Sequence, residues 1–385
     1  MIKYINELDE KDLEGKKVLL RLDLNVPIIN GQVTNTYRLE KIIDTIDFLR
    51  GKLAQTIIIS HAENKDGGNE SLLPILDYLK RYFPVEFSPT YFTPEAVDKL
   101  LKMEDKSVLL FENVRYNSGE KENDKEFAKK LSGMADIYVN DAFGVSHRAH
   151  ASIVGVPEFL PYYGGLLMQQ EIEHLSRAFN PTHPFIFILG GAKFDTKLPL
   201  IKKYLDRADK VFVCGALANN VFKEKGYELG TSLVSKTAFD MKEILENPKL
   251  IIPADVTVTC QGEPLTQEVR FKTPDQIKAN ECIVDAGPKT IEQLKELIKD
   301  AKTIVWNGPL GNYEIGFSDK TKSLAEIIAE ATKNGAESIV GGGDTIASIN
   351  KLDLNGKFTF VSTGGGAMLD FLVNETLPGI QALEN

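Results

Sequence analysis

The chain has 385 residues, of which 43% are hydrophobic and 26% charged, and its formal net charge at pH 7 is -10. This length is typical of two domains, each with enough residues to bury a core. Because no basic tail offsets the negative charge, non-specific binding to nucleic acid or anionic membrane is disfavoured, and an anionic ligand needs a local basic site.

The cysteines and the N-terminal segment bear on where the protein works. Cys214, Cys260 and Cys282 are too few and too dispersed for a disulfide framework or a zinc cluster, and free thiols fit a reducing compartment. Residues 1–17 are polar, and no stretch of the sequence approaches the length of a membrane span. We therefore expect a cytoplasmic protein with no membrane partner.

Short β-branched runs alternate with helical patterns along the whole chain. The runs cover residues 18–27, 56–60, 107–114, 136–143, 185–191, 210–217, 249–258, 303–309, 338–344 and 358–366. Alternation of this kind is typical of parallel strands connected by helices. It predicts an α/β protein of two domains, each a doubly wound, mostly parallel sheet with helices on both faces.

Two helical segments stand out. Residues 37–50 carry an apolar stripe at helical spacing, which predicts a core-facing helix; its members are Leu39, Ile42, Ile43, Ile46 and Leu49. A second helical segment, within residues 166–182, follows Pro- and Gly-rich positions, and its helical pattern ends before Pro181 and Pro184. We interpret it as a long helix that joins the two domains at a hinge, with the first domain at 1–165 and the second at 183–367.

The predicted strands of the first half end in charged and polar residues. Those residues are Arg21, Asp23, Asn25, His61, Arg115, Asn140, Asp141, His147, Arg148 and His150, with Arg38 nearby. Ligands of open α/β sheets bind outside the carboxyl ends of the strands. Only nine of the 45 Lys and Arg residues are arginines, and arginine grips phosphate or carboxylate with two parallel hydrogen bonds. The first half therefore predicts an anion site.

The strands of the second half end in glycines instead. They occur at residues 190–191, 308, 341–343 and 364–366. Glycine lets backbone N–H groups approach phosphate oxygens, and a helix that begins directly afterwards adds its positive end. No GxxxxGK[ST], early GxGxxG or protein-kinase signature is present, which disfavours a P-loop NTPase or a nicotinamide dehydrogenase. The second half predicts a phosphate site of another kind.

Several side chains near these turns have two interpretations each. Asp344 fits a helix N-cap or, beside a phosphate, a magnesium ligand. Lys193 and Lys197, four apart, fit a solvated pair or a phosphate site on one helix face, provided that Pro199 falls in the first turn. His147 and His150 fit a metal site or a nucleophile less well than a cationic patch around Arg148, because no third ligand lies at suitable spacing.

Together these segments resemble the phosphoglycerate kinase family over essentially the full length of the chain. The matching segments are RLDLNVP (21–27), FENVRY (111–116), YVNDAFGVSHRAHAS (138–152), GGAKFDTK (190–197), WNGPLGNYE (306–314), VGGGDT (340–345), STGGGAMLDFL (362–372) and LPGIQAL (377–383). The resemblance implies a monomeric glycolytic enzyme that transfers phosphate reversibly between 1,3-bisphosphoglycerate and ADP, giving 3-phosphoglycerate and ATP. It also implies Mg²⁺ with the nucleotide and a C-terminal tail, residues 368–385, that packs back on the first domain.

The resemblance also assigns roles to individual residues. Phosphoglycerate would be bound in the first domain by Asp23, Asn25, Arg38, His61, Arg115 and Arg148, and the nucleotide in the second by Lys197, Asn307, Glu314 and the loop Gly341, Gly342, Gly343, Asp344 and Thr345. Glu314 would take a ribose hydroxyl and Asp344 the metal. Arg38 and Lys193 would flank the transferring group, helped by backbone N–H groups at Gly343 and Gly366, after the domains close and exclude water.

Two segments depart from the family pattern. The family usually carries SHLGRP where this chain reads SHAENK (60–65), so Asn64 stands in place of a patch arginine, Glu63 adds a negative charge, and Lys65 is the nearest replacement. The segment CGALA (214–218) replaces three glycines near the adenine with residues that include Cys214 and Ala216. These departures leave two alternatives beside an active phosphoglycerate kinase: a kinase of the same fold with another acyl-phosphate acceptor, and an inactive nucleotide-binding paralogue.

Overall fold

The chain forms two units of contacting residues. The computed structural model describes residues 1–64, 66–237, 241–260, 269–349 and 356–384, so Lys65 lies outside the described residues. The first unit contains Met1–Glu173 together with the C-terminal segment from Thr376, and the second contains His174–Glu375. The predicted domain boundaries, with the ligand roles attached to each domain, remain predictions.

The first unit is built on one parallel sheet. Its strands are β1 (Lys17–Leu22), β2 (Ile28–Ile29), β3 (Gln32–Val33), β4 (Gln55–Ile59), β5 (Glu86–Ser88), β6 (Val108–Phe111), β7 (Ile137–Asp141) and β8 (Tyr162–Gly164). Six of them form the sheet in the order β5-β6-β4-β1-β7-β8, with every neighbouring pair parallel, while β2 and β3 form a hairpin. The chain switches sides of β1 between β6 and β7, so the crevice expected to bind ligand lies at the carboxyl ends of β1 and β7.

Helices flank this sheet. They are α1 (Glu10–Leu13), α2 (Tyr37–Lys41), α3 (Ile43–Gly51), α4 (Leu73–Leu79), α5 (Pro94–Leu101), α6 (Lys125–Ser132) and α7 (Leu166–Ser176). The single helix predicted over 37–50 is two helices joined at Ile42, so that prediction was wrong in its continuity. The predicted stripe is nevertheless core: Leu39, Ile42, Ile46 and Leu49 have no exposed surface.

The second unit has a parallel sheet and a smaller antiparallel one. Its strands are β9 (Phe185–Leu189), β10 (Lys210–Val213), β11 (Leu250–Ile251), β12 (Val256–Cys260), β13 (Arg270–Lys272), β14 (Glu281–Ala286), β15 (Thr303–Asn307), β16 (Glu337–Gly341) and β17 (Phe360–Val361). The parallel sheet has the order β11-β10-β9-β15-β16-β17, and the antiparallel sheet β13-β12-β14. The run predicted over 249–258 therefore contributes to both sheets, because Pro253 separates β11 from β12.

Helices of the second unit start at several of its glycine turns. They are α8 (Phe194–Arg207), α9 (Ala216–Glu224), α10 (Lys242–Glu246), α11 (Pro288–Ile298), α12 (Asp319–Lys333), α13 (Gly343–Ile349) and α14 (Gly366–Asn374), and α15 (Pro378–Gln381) follows in the first unit. The condition that Pro199 falls in the first turn is not met, since α8 begins at Phe194 and the proline lies inside it. Pro199 has no amide N–H to donate to the carbonyl of Asp195.

The two units have separate apolar cores. In the first unit, Leu20, Ile58, Leu110 and Val139 of the central strands pack in one cluster with α3. In the second, Ile188, Phe212, Ile304 and Val340 do the same beneath α11 and α12. The α/β architecture that the alternation of strands and helices predicts, with mostly parallel sheets and flanking helices, is confirmed. Among the helices of the described residues, none has the length and apolar character needed to cross a membrane.

Candidate active site

In the first unit, four arginines and a histidine lie near the carboxyl ends of the central strands of the sheet. We call these five residues the arginine cluster: Arg21, Arg38, His61, Arg115 and Arg148. They follow or lie on β1, β4, β6 and β7, which are neighbours in the sheet, except for Arg38 on α2. The pKa of His61 lies well below its ordinary value. Burial is the largest cause, and the positive charges of the four arginines lower the pKa further. Each of the four arginines therefore lies within electrostatic range of His61, which is neutral at pH 7.

Arg38 is held by the loop that follows β1. Its Nη1 forms an ion pair with Asp23 Oδ2 at 3.2 Å and donates to the backbone carbonyl of Asn25. Asp23 Oδ1 accepts the N–H of Asn25 at 3.2 Å, which closes a small turn. The Arg38 side chain as a whole stays a quarter exposed. Asp23 and Asn25 therefore orient Arg38, and its exposed part can meet an anion.

Arg21 was singled out in the sequence but not given a ligand role, and the structure explains its place. It is fully buried, and its Nε donates to Ser152 Oγ at 2.8 Å. Ser152 Oγ donates in turn to Glu120 Oε1 at 2.6 Å, and Nη2 of Arg21 lies 3.4 Å from His61 Nδ1. Glu120 is a buried counter-charge that sequence reasoning missed, because no local pattern connects it to β1.

Arg115 and Arg148 face a carboxylate. Arg115, whose side chain has no exposed surface, forms an ion pair with Glu63, and Arg148 Nη1 lies 3.9 Å from the same carboxylate. Lys121, which sequence reasoning also missed, lies 3.5 Å from it. Burial lowers the pKa of Arg115, and the charge of Glu63 opposes that shift. Glu63 therefore lies inside the predicted anion site.

Asn64 is used by its own loop. Its Oδ1 accepts the backbone N–H groups of Asp66 at 3.0 Å and Gly68 at 2.8 Å, and its backbone N–H donates to the Gly68 carbonyl. The side chain of Asn64 thus stabilises a turn. Its predicted contact with substrate stays a prediction.

His147 and His150 sit beside the cluster. Arg148 Nε lies 3.4 Å from His147 Nε2, and His150 Nδ1 lies 3.7 Å from Glu120 Oε1. Burial, followed by the charges of Arg115, Arg21, Arg148 and Lys121, lowers the pKa of His150 to about 4. Within the described ranges, no three His, Cys, Asp or Glu side chains are placed to hold a metal ion. His150 is therefore neutral at pH 7.

In the second unit, the turns after β9, β10 and β15 pack backbone against backbone. A Cβ on Gly190 would lie 2.4 Å from the Pro309 carbonyl oxygen, and one on Gly308 would lie 2.2 Å from the Gly190 carbonyl oxygen. Gly215 and Gly308 have φ values of +61° and +100°, in the region that favours glycine. Only glycine fits these positions, which lie at the switch point between β9 and β15.

The turn after β16 is tied to the turn after β15. Thr345 Oγ1, buried in the first turn of α13, accepts the N–H of Gly308 at 2.7 Å. Asn307 is buried, and its Nδ2 lies 3.7 Å from Met368 Sδ. A Cβ on Gly341 would overlap Met368, and Gly342 has a φ of +99°. Thr345 and Asn307 thus hold the loop in place.

Gly343 and Gly366 differ from the other glycines. Each begins a helix, α13 and α14, and a Cβ built on either would meet no atom within 4 Å. Their backbone therefore borders open space at the positive ends of two helices. This is the arrangement predicted for the two glycines, and their contact with a phosphoryl group stays a prediction.

Three charged side chains converge near these turns. Lys197 is buried, and its Nζ donates to the Gly190 carbonyl at 2.5 Å. Burial lowers its pKa to about 8, with opposing contributions from Cys214 and Asp344 and a further lowering from Lys193. Lys193 is the exposed N-cap of α8, so the two lysines are not both on one helix face as expected. Asp344 is exposed, and its Oδ1 accepts a hydrogen bond from the Tyr313 hydroxyl at 3.0 Å.

A cavity of about 300 Å³ opens beside this group. Its lining includes Gly191, Ala216, Asn219, Tyr313, Glu314 and Asp344. Cys214 is fully buried behind the turn rather than in the lining, and burial raises the pKa of its thiol to about 12. Of the two departures from the glycine segment, Ala216 therefore borders the cavity and Cys214 supports its wall.

Comparison with known proteins decides the family. The sequence pattern described as phosphoglycerate kinase matches residues 8–375. The chain belongs to the phosphoglycerate kinase family. The phosphoglycerate kinase of Thermosipho africanus is 41% identical over 97% of this chain and 96% of its own, and that of Dictyoglomus turgidum is 40% identical over 100% and 99%.

Solved phosphoglycerate kinases agree with this membership. The Coxiella burnetii enzyme matches with a TM-score of 0.83 at 37% identity, and the Pyrococcus horikoshii enzyme with 0.87 at 31%. Each match covers 100% of this chain and 98% of the other. The predicted function, phosphoglycerate kinase, is confirmed, and the alternatives of another acceptor or an inactive paralogue are not favoured. The enzyme is a phosphotransferase with a nucleotide substrate.

Proposed function

We propose that the arginine cluster binds the phosphoglycerate substrate and that the glycine turns and their cavity bind the adenine nucleotide. The observation that carries the first part is that Arg21, His61, Arg115 and Arg148 lie on or after neighbouring strands of one sheet. Arg38 is held beside them by the loop that follows β1. Asp23 and Asn25 orient Arg38, while Arg115 and Arg148 supply charge for the phosphate or carboxylate of 3-phosphoglycerate or 1,3-bisphosphoglycerate. His61, being neutral, donates or accepts a hydrogen bond.

The nucleotide half rests on backbone groups and on Lys197. The lining position of Glu314 suits a ribose hydroxyl of ATP or ADP, and the loop of Gly341, Gly342, Gly343, Asp344 and Thr345 lies beside the same cavity. Asn307 and Lys197 hold this region from beneath, and the Lys197 ammonium adds positive charge next to the Gly190 turn. Lys193 and Arg38 would neutralise charge on the transferring group, with N–H groups at Gly343 and Gly366.

The residues present fit Mg²⁺. This cation is commonly held by one or two carboxylates together with phosphate oxygens, and Asp344 is an exposed carboxylate at the edge of the glycine loop. Tyr313 orients that carboxylate through the hydrogen bond that its hydroxyl donates to Asp344 Oδ1. When bound, Mg²⁺ supplies positive charge to the nucleotide phosphates. Asp344 is the residue of this chain that would hold it.

The remaining parts of the proposal concern the protein in the cell. We infer a monomer, as membership of the family implies. We also infer that the protein lies in the cytoplasm, because its three cysteines are free thiols, and that it does not bind nucleic acid, because its net charge is -10. Light scattering after size exclusion measures the mass directly, and a stable dimer would contradict the first point.

The test is ATP-dependent phosphorylation of 3-phosphoglycerate, coupled to reduction of the acyl phosphate. We expect turnover by the unaltered chain and a loss of about 100- to 1000-fold in kcat for Arg38→Ala and Asp344→Ala, which is the scale for one lost transition-state contact. Circular dichroism of each variant checks that it is folded. No turnover at millimolar substrate would contradict the proposal, and turnover insensitive to both substitutions would contradict the residue roles.

A further inference from the structure

Glu63 is an acidic residue in the middle of a site predicted to bind an anion. Its side chain is only 18% exposed and faces three basic groups: Arg115 in an ion pair, Lys121 at 3.5 Å and Arg148 at 3.9 Å. Burial favours its protonated form, but the hydrogen bond and charge of Arg115 outweigh this and hold the pKa of Glu63 below its ordinary value. The carboxylate is therefore ionised at neutral pH.

The loop around Glu63 is built to keep that carboxylate in place. The Glu63 N–H donates to Asn25 Oδ1 at 3.0 Å, so the residue is tied to the same loop that orients Arg38. The backbone of Glu63 forms an antiparallel β-bridge with that of Asn69, across the turn that Asn64 stabilises. Asn69 Nδ2 in turn donates to the Arg115 carbonyl at 2.9 Å. Both partners of the ion pair are thus positioned by one hydrogen-bonded loop.

The pairing matters energetically because the charge of Arg115 is buried. The Arg115 side chain has no exposed surface, so water cannot solvate its charge, and a buried charge is costly unless it is paired. In the free protein Glu63 supplies the pairing. A phosphate or carboxylate that uses Arg115 must either displace Glu63 or share the guanidinium with it.

We propose that Glu63 is an internal counter-ion that competes with the anionic substrate for Arg115 and Arg148, and so sets how tightly and how selectively this site binds anions. The inference rests on the proposed role of the arginine cluster as the phosphoglycerate site. A ligand with several negative charges competes best with Glu63, whereas a small inorganic anion competes poorly. Glu63 also stabilises the unliganded protein, because it offsets repulsion among the cationic side chains.

The experiment compares three full-length proteins: unaltered, Glu63→Gln, and the charge-matched control Glu122→Gln, an exposed position beside Lys121. Binding of 3-phosphoglycerate is measured by calorimetry at constant ionic strength. We expect Glu63→Gln to bind about 10-fold more tightly, the scale of one charge-assisted contact regained, and Glu122→Gln to stay within about 2-fold. Unchanged or weaker binding by a folded Glu63→Gln protein would overturn the proposal.

A second measurement does not depend on turnover or on the identity of the substrate. Thermal unfolding is followed against sulfate concentration for the same proteins. We expect Glu63→Gln to unfold at a lower temperature without sulfate and to be stabilised by sulfate more than the unaltered chain, since an anion replaces the lost carboxylate. A purely structural role lowers the unfolding temperature without this added response, and equal sulfate responses would overturn the proposal.

The two measurements separate this inference from the proposed function. An unaltered chain that neither turns over nor binds 3-phosphoglycerate counts against the proposed function. The sulfate response then still decides the role of Glu63 in the arginine cluster. Conversely, the unaltered enzyme can be active while its Glu63→Gln variant gains neither affinity nor sulfate response. That result would support the proposed function and contradict the role of Glu63 as a counter-ion.

Discussion

The two proposed anion sites of this kinase, one in each unit, are built in different ways. The first unit uses side chains: its guanidinium groups are held by Asp23, Glu63 and Glu120 through ion pairs and relayed hydrogen bonds. The second uses backbone: its turns at 190, 215 and 308 pack so closely that a side chain does not fit. A side-chain site is tuned by exchanging charges, whereas a backbone site is fixed by the absence of side chains.

The largest expected effect tests whether charge from both units acts on the same step. Lys193→Ala, like Arg38→Ala, should lower kcat by about 100-fold or more, because under the proposed roles each substitution removes a positive charge that stabilises the transferring group. The affinity for the ligand of the other unit should stay unchanged, which calorimetry with nucleotide or 3-phosphoglycerate measures. Loss of nucleotide affinity in Arg38→Ala would contradict the division of roles.

The next effect concerns stability and separates the two kinds of glycine. Gly190→Ala should destabilise the second unit by about 2 to 3 kcal/mol, because its Cβ would lie 2.4 Å from a carbonyl oxygen in a packed turn. Gly343→Ala, with open space around its Cβ, should leave stability unchanged. Trp306, the one tryptophan of the chain, is buried in the second unit, so its fluorescence during urea unfolding reports the difference. Equal stability of both variants would show that the turns can rearrange.

A third prediction uses pH to tell the lysine of one site from the arginines of the other. The pKa of Lys197 is about 8 in the free protein. Its side chain is therefore positively charged below pH 8 and loses this charge as the pH rises above 8. Nucleotide affinity should therefore weaken between pH 7 and 9 by up to about 10-fold, while affinity for 3-phosphoglycerate, bound by arginines, should not. Lys197→Arg is the matched control and should remove the dependence. A parallel loss in both affinities would contradict it.

The smallest effect concerns the histidines of the first unit. The pKa of His150 is lowered from its ordinary value of 6.5 to about 4 in the folded protein. Below pH 6.5 the unfolded chain therefore binds more protons at this residue than the folded protein does. Stability is therefore full above that value and falls as pH decreases toward 4, by about 1 to 2 kcal/mol between pH 7 and 5 for this partly buried group. Urea unfolding followed by circular dichroism should show the loss, and His150→Gln should reduce it. An identical pH dependence in the variant would assign the loss elsewhere.

Much of the fold could be predicted because the period of the apolar residues is local. The parallel strands and the stripe of Leu39, Ile46 and Leu49 follow from spacing alone. The break at Ile42 could not be predicted in the same way, because the spacing of apolar residues does not encode how neighbouring elements pack. The division of 249–258 between two sheets had a local signal in Pro253, but the apolar spacing does not say that the two halves of the run join different sheets.

The candidate site divides similarly. Arginines after the strands of one half and glycines after those of the other were visible in the sequence, and the resemblance to a family supplied the residue roles. The pairings were not visible. Glu120 reaches Arg21 through Ser152, and Thr345 bonds the amide of Gly308, between segments that are far apart along the chain.

The sequence by itself determined the family, the α/β class and the types of residue available for binding two anionic ligands. Tertiary structure decided how these residues are used. The side chain of Asn64, predicted to contact substrate, accepts backbone hydrogen bonds within its own turn, and its contact with substrate stays a prediction, while Glu63 beside it reaches Arg115. The physical reason is that ion pairs and turn packing depend on strand order in the sheet, because strand order brings distant residues into contact.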